Sequence, residues 1–460
     1  MQAMRTGVEV AGNNLANVNN PAYSRQRVVL ETSPTIDTQL GPEGTGVQVR
    51  SIEQIVDSLL NGRIQDQSSV SNYWKAQQSS LQDAQNGLNE FLNSTGSTDA
   101  STSTSAATNS DSSLSARLAG FFNSFAGLAS SDTAGARQKL VSNAQSLADA
   151  FNNISTQLGT ARTAANTSIS NDVSSANQLL SDIAKFNKQI TTAEASGGNA
   201  NDLRDSRTQA LEKLSGFANL TTSTATNGQV NVSIGGQLLV NGQNVADTLQ
   251  TYADASGNLL VQTTTGAAPI TLTGGSIQGT IQARDGALGN LQSDIDTLAN
   301  SFITSVNSLH ATGFNASGTS GNAFFTGTNA GTIKVNTVIS ADPSLIQISA
   351  SSTATNDNSI AVALGQLGNA TQASLGGKTF SQAYSKIVGD LGDSLKTVND
   401  HVDNEAAVTT MLSAQRASVS GVSLDEEMTT LMSFQRAYTA SAQLVKTVDD
   451  LLQTTLSIKR

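Results

Sequence analysis

The chain has 460 residues, enough for several buried cores, with 25 Lys and Arg against 36 Asp and Glu and a net charge of −11. That balance excludes a nucleic-acid binder driven by counterion release. The absence of Cys and the presence of only two His (His310, His401) exclude a cysteine nucleophile, a disulfide and a His-rich metal site. With 13% charged and 4% aromatic residues, the composition is poor for an enzyme and suits a structural or assembly protein.

Met1, Met4, Val8, Ala11 and Leu15 alternate at three and four residues and predict a first helix, ended by Asn17, Asn19, Asn20 and Pro21. Residues 25–30 read as a short strand or extended arm, and 40–46, rich in Gly, as a loop. From Ser51 to Leu92 the apolar spacing, starting with Ile52 and Ile55, reads as helix. Ser94–Ser113 is nearly all Ser, Thr, Ala, Asn and Asp and reads as a loop between helices. Four amphipathic helices follow: 114–128, 137–158, 173–190 and 203–214.

Near Asn219 the period changes to two. Val230, Val232 and Ile234, then 237–240, 251–252, 259–261 and 270–272, separated by Gly and Asn turns, predict a small β domain ending near Gly275. Helical spacing returns from Leu288 to Leu309. Residues 313–358 are mixed, with strand-like pieces at 332–338 and 345–348, and a long helix is expected over 380–419, closed by Gly421. The last helix starts after Ser423, with Asp425 and Glu426 placed to complement its dipole. Its stripe of Leu424, Met428, Leu431, Tyr438, Val445, Leu452 and Leu456 matches in kind that of Met4, Val8, Ala11 and Leu15 at the other end. Neither stripe can bury itself alone, so the two ends are expected to fold back beside one another and to carry an assembly seam.

The fold class read from this pattern is mainly α with a β insertion: a nested multi-domain rod with paired terminal helices, a helical body and a small outer β domain. The partition is 1–30 with 421–460 as a terminal coiled-coil-like domain, and 31–220 with 276–312 and 380–420 as the body. Residues 221–275 are the β insertion, and 313–379 a mixed segment packed on the body.

Chemistry is sparse. The carboxylates Asp425, Glu426 and Glu427 favour dipole compensation on a solvated first turn over acid–base work. The loop bearing Gly41, Gly44 and Gly46 lacks the Lys-Ser or Lys-Thr of a phosphate cradle and reads as a turn. His310 and His401 read as surface or partly packed side chains. No catalytic, cofactor or metal residue is assigned. No apolar run is long enough to span a membrane, and the N-terminus lacks a cleavable signal, which points to the cytoplasm or to export without cleavage.

The two ends carry a resemblance. Residues 13–23, with Asn14, Asn17, Pro21 and Tyr23, resemble the signature near the start of bacterial flagellar rod, hook and hook-associated proteins. The run Tyr23-Ser24-Arg25-Gln26, with 420–428 and 434–438 at the far end, is similar to one set among them, the hook-associated protein 1 family, which joins hook to filament. Residues 203–207, 309–313 and 322–325 resemble that family's interior. Ala22 stands where the family usually has Gly, which favours a type I over a type II turn. The family also implies further helical turns ahead of Met1, since the first helix as read is ~25 Å, about half the last.

The resemblance implies a non-enzymatic adaptor, without cofactor, in the extracellular flagellum, exported unfolded and without signal cleavage. The implied partners are the hook protein, the second junction protein (hook-associated protein 3), copies of itself in a ring-like or helical layer, and a cytoplasmic export chaperone on the last helix; nucleic acid and membrane are not among them. The alternatives are another axial rod or hook protein, or a secreted adhesin.

Overall fold

The computed structural model describes residues 1–38, 41–88, 113–195, 197–354 and 357–458. The Ser/Thr-rich stretch 94–112 lies outside them. The chain is mainly α with a β insertion and divides into two compact units: Met1–Tyr73, Ser170–Gln278 and Val402–Arg460 form unit 1, and Trp74–Ile169 with Gly279–His401 form unit 2.

Unit 1 begins with α1 (Gln2–Ala16). The Asn cluster ends it as expected: Asn17 takes the C-cap, and the amide of Tyr23 donates to Asn20 O at 3.1 Å to close a turn through Pro21 and Ala22. Ala267 is the only non-glycine with positive φ among the described residues, so Ala22 does not make the type II turn. Strand β1 (Gln26–Thr32) follows, then the hairpin β2 (Ile36–Thr38) and β3 (Gly41–Glu43), and β4 (Val47–Gln54). β4 pairs antiparallel with β1, with a bulge at Val29/Leu30. This corrects the helical reading of Ile52 and Ile55: Ile52 lies in the ladder opposite Val28, and the amide of Ile55 donates to Arg25 O. Helix α2 starts only at Ser58 and runs to Leu88.

The two helices expected over 137–158 and 173–190 are one, α4 (Ala134–Ala195, 62 residues), preceded by α3 (Leu114–Ser130) and followed by α5 (Asn201–Phe217). Buried Ala165 and Ile169 carry the apolar stripe through the polar middle of α4.

The β insertion forms where the period-two pattern placed most of it, except that 270–272, expected as a strand, is extended chain beyond an isolated bridge between Gln262 and Pro269. Strands β5 (Leu220–Thr224), β6 (Val230–Ile234), β7 (Gln237–Asn241) and β8 (Asn244–Val245) make an antiparallel sheet, and β9 (Leu249–Ala253) pairs with β10 (Leu259–Thr263). Gly235 and Gly236, at φ 54° and 79°, make the two-residue turn that both right-handed strand twist and glycine freedom favour. Two asparagines on α4 hold the insertion by its backbone. Asn187 donates to Val230 O and Gly242 O and accepts from Val230 N, and Asn177 pairs with both backbone groups of Leu249.

Helix α6 (Gly275–Gln282) passes through one π turn into α7 (Leu288–His310). The mixed segment holds β11 (Phe325–Thr326) paired with β12 (Lys334–Val335), then α8 (Thr337–Ala341) and α9 (Ser359–Leu367). The strand-like piece at 345–348 is instead a 3-10 turn followed by extended chain. The chain ends with α10 (Phe380–Ser420) and α11 (Leu424–Ile458).

The core of unit 2 is aromatic. Phe121, Phe122, Phe125, Phe151, Phe302, Phe324, Phe325 and Phe380 pack with centroid spacings from 5.0 Å (Phe324–Phe325) to 6.2 Å (Phe151–Phe302), largely edge-on, the arrangement ring quadrupoles prefer. His310 is not a surface residue but fully buried against Phe324. Its Nε2 accepts from Gln347 N, so Nδ1 carries the proton and donates to Asn322 O. His401 stacks on Trp74, centroids 3.9 Å apart. Among the described residues no helix is long and apolar enough to cross a membrane.

Candidate functional site

The site lies in unit 1, where the chain ends meet. α1 lies antiparallel to α11: Gly7 faces Phe434 and Asn14 faces Glu427. The buried face of α1 is Ala3, Gly7, Val10, Ala11 and Asn14, and a Cβ on Gly7 would sit 2.7 Å from the Phe434 ring. Small residues therefore set the close approach of the two helices. Met4, Val8 and Leu15, the bulkier members of the expected stripe, flank this face half-buried, while Ala11 lies within it. On α11, Leu431, Phe434, Ala437 and Ser441 are half-buried, whereas Leu424, Met428 and Tyr438 are exposed.

Beyond Ala442, α11 passes the start of α1 and every described residue is exposed. Its apolar spacing continues regardless: Leu444 (67% exposed), Val445, Val448, Leu451, Leu452, Leu456 (70%) and Ile458 (80%). An isolated helix of that composition gains its stability by burying the stripe, and among the described residues nothing covers it.

The motif residues converge on a polar latch. Asn14 is buried and uses all four of its hydrogen-bonding positions. Its Nδ2 donates to Gln26 O (2.8 Å) and Glu427 Oε2 (3.0 Å), and its Oδ1 accepts from Tyr23 OH (2.8 Å) and Gln26 N (3.0 Å). Ser24, Arg25 and Gln26 alternate in direction as an entering strand requires. Arg25 turns to α11, with Nε on Glu427 Oε1 and Nη1 on Glu426 Oε2, both at 2.7 Å. Ser24 and Gln26 turn to α5. Ser24 donates from N (2.9 Å) and Oγ (2.7 Å) to Asp205, and Gln26 Nε2 donates to Asp202 at 3.0 Å. Arg25 N also donates to Ser420 O, the last residue of α10. Asn17 donates back into α1 at Asn13, and Pro21 is exposed in the turn.

The latch corrects the solvated reading for Glu427, which is only 2% exposed and is held by Arg25 and Asn14, while Asp425 and Glu426 are exposed. An acidic residue in a first helical turn gives no sign of burial. The signal that was open to reading is Arg25, an isolated charge in an otherwise uncharged motif. Burial first, then the carboxylates of Asp202, Asp205 and Glu427, push the Tyr23 phenol up, so it donates at every ordinary pH. Burial raises Asp205 above the usual carboxylate range against the opposing pull of Ser24. The charged hydrogen bonds of Glu426 and Glu427 outweigh burial at Arg25 and raise it.

A cleft of about 880 Å³ opens beside the latch, lined by Tyr23, Ser24, Asp205, Glu212, Arg416 and Ser420 among others. Of its charges, Arg416 pairs with Glu212 at 2.7 Å, and Asp205 accepts from Ser24. No group of three or more His, Cys, Asp or Glu able to hold a metal occurs among the described residues. Gly41, at φ 111°, opens β3 opposite Thr38, so part of the expected loop is a strand, and Gly46, at φ 103°, lies between β3 and β4. What this arrangement offers is a paired coil with one open end.

A model described as the flagellar hook-associated protein FlgK helical domain matches residues 100–325, and one described as flagellar basal body rod FlgEFG protein C-terminal matches residues 414–458. Flagellar hook-associated protein 1 of Bacillus subtilis is 28% identical, covering 98% of this chain and 95% of its own length. Its namesake in Escherichia coli is 23% identical, covering 100% and 98%. The chain is similar to the FlgK family of flagellar hook-associated proteins along its whole length. The solved structure of the flagellar hook junction protein FlgK from Burkholderia pseudomallei matches with a TM-score of 0.66 over 78% of this chain and 100% of that one, at 17% identity, which shows a shared fold. The match at 414–458 includes the α11 side of the latch, Glu426 and Glu427.

Proposed function

We propose that this protein is a structural adaptor of the bacterial flagellum that joins hook to filament, working by assembly rather than by catalysis. The observation that carries the reading is the open apolar stripe on α11 from Leu444 to Ile458, continuous with the helix face latched to α1. A neighbouring subunit that covers it converts exposed apolar area into a seam, at about 25 cal/mol per Å² removed from water. Repeated head-to-tail around an axis, such a contact builds a ring or helical layer. In this reading the seam comprises Met4, Val8, Ala11, Leu15, Leu424, Met428, Leu431, Tyr438, Val445, Leu452 and Leu456. The terminal domain (1–30 with 421–460) lies innermost, and the β insertion (221–275) faces outward. The neighbours are the hook protein on one side and the second junction protein on the other. The family name supports an extracellular place at the flagellum, and the absence of Cys suits passage of an unfolded chain through an export channel. Before assembly the open stripe of α11 also suits a groove on an export chaperone.

A second reading, another axial rod or hook protein, draws on the rod-type match at 414–458. The match at 100–325 to the hook-associated helical domain favours the junction.

The test uses the full chain in a strain lacking its own junction protein. Val445→Asp with Leu452→Asp should leave hooks bare under electron microscopy, with filament subunits lost to the medium, while the purified monomer keeps its stability within about 0.5 kcal/mol because both sites are exposed. Normal filaments on that variant would overturn the seam, and rod or hook failure would move the protein to the second reading.

A further inference from the structure

The seam between α1 and α11 is poorly suited to defining its own register. Ala3, Gly7 and Ala11 are small residues four apart, so sliding α1 by one turn sets an Ala methyl against Phe434 in place of Gly7, a packing cost of only about 1–2 kcal/mol. Bulk opposes the slide only weakly. The latch forbids it, because both helices are referenced to the same three residues. Asn14 fixes α1 to the backbone of Gln26, and Arg25 fixes the first turn of α11 through Glu426 and Glu427. Residues 24–26 are themselves immobilised by Asp205 and Asp202 on α5 and by the ladder to β4. A one-turn slide strands Asn14 and Glu427, both buried, with unmet hydrogen-bonding groups.

We infer that the Asn14–Arg25–Glu427 network is a register key: it sets which residues of the two terminal helices face each other, and so where the open stripe of α11 begins, rather than supplying the attraction between them. The inference rests on the latch geometry and is tested on the monomer, independently of the assembly reading. A single buried polar position that fixes the register of a helix pair is the best-attested use of such groups. Ser24 and Gln26 act as positioning residues, since they hold the reference strand without touching α11.

The chain contains no Cys, so engineered pairs report register without background. Each step along α1 is matched by one step back along α11, which faces Ala11 with Thr430. After a one-turn slide that brings Ala11 to Phe434, Ala3 faces Ala442. In the full chain, Ala11→Cys with Thr430→Cys should cross-link at least about tenfold more than Ala3→Cys with Ala442→Cys. Asn14→Leu, Arg25→Met and Glu427→Leu together remove the key while leaving apolar side chains of similar bulk, and should lower the ratio of the two yields at least about fivefold. The milder Glu427→Gln should shift the ratio in the same direction by less. An unchanged ratio in the triple variant overturns the inference. So does loss of both cross-links with the β insertion still folded, because the network would then be holding the coil together rather than setting its register.

Discussion

The Phe302 cluster of unit 2 and the latched helix ends of unit 1 solve the problem of specificity in opposite ways. Eight of the 13 phenylalanines lie in one dry cluster, where shape alone selects the packing. The helix ends have one phenylalanine, Phe434, set against a glycine, and their specificity comes from charges and amides paired out of water. A core that stays closed can rely on volume. A helix pair that also presents an open apolar end has little volume to spare and uses directional bonds instead.

That contrast can be pressed from both sides. The largest expected effect is on the aromatic side. Phe302→Ala removes a ring that meets Phe121, Phe122, Phe151, Phe325 and Phe380, and should cost unit 2 about 3–5 kcal/mol in denaturant unfolding. Hydrogen exchange within α1 should change little. Parallel loss there would remove the distinction between the two regions.

An intermediate effect comes from acid. Burial lowers His310 from 6.5 to about 4, so the folded state holds the imidazole neutral where the unfolded chain protonates it. The contribution of this group to stability is full above the unfolded pKa, and is lost as pH falls through 6.5 toward 4. Between pH 7 and pH 5 unit 2 should lose about 2 kcal/mol through this residue. His310→Gln, although less stable at pH 7, should show a correspondingly flatter acid limb; an identical limb would mean that His310 is protonated in the fold.

The smallest effect is at the helix ends. Gly7→Ala places a methyl group against the Phe434 ring, and should loosen α1 by roughly 1–2 kcal/mol, read as faster amide exchange over residues 2–16. Adding Phe434→Leu should recover much of the loss. Greater protection in Gly7→Ala alone would show that helix propensity, not close approach, governs the pair.

Much of this architecture was legible in the sequence because it is carried by period. The long helices α10 and α11 and the strands of the insertion follow directly from spacings near 3.6 and 2. Period failed where an element is set by its partner. Ile52 fits a helical phase but belongs to a ladder held by Val28, and the polar middle of α4 stays helical because Ala165 and Ile169 are enough to keep it packed. The face of α1 was hidden for another reason: hydropathy ranks Met4 and Val8 above Ala3 and Gly7, whereas close packing against Phe434 needs the small ones. Within the latch, Asn14 and Arg25 were visible as motif residues. Asp202 and Glu427 were not, since a carboxylate on a helix signals solvent until its cation is located.

The latch also bears on the order in which the chain closes. Asn14 and Glu427 are separated by 413 residues. Joining such distant points in an open chain costs about 3 kcal/mol more than closing a ten-residue loop. That entropy falls once α5 has folded and holds Ser24 through Asp205 and Arg416 through Glu212, because the middle of the chain then brings the two extremities near each other. The ends of this molecule are therefore the last part to close and the first to open, and the carboxylates of α5 set the moment at which they meet.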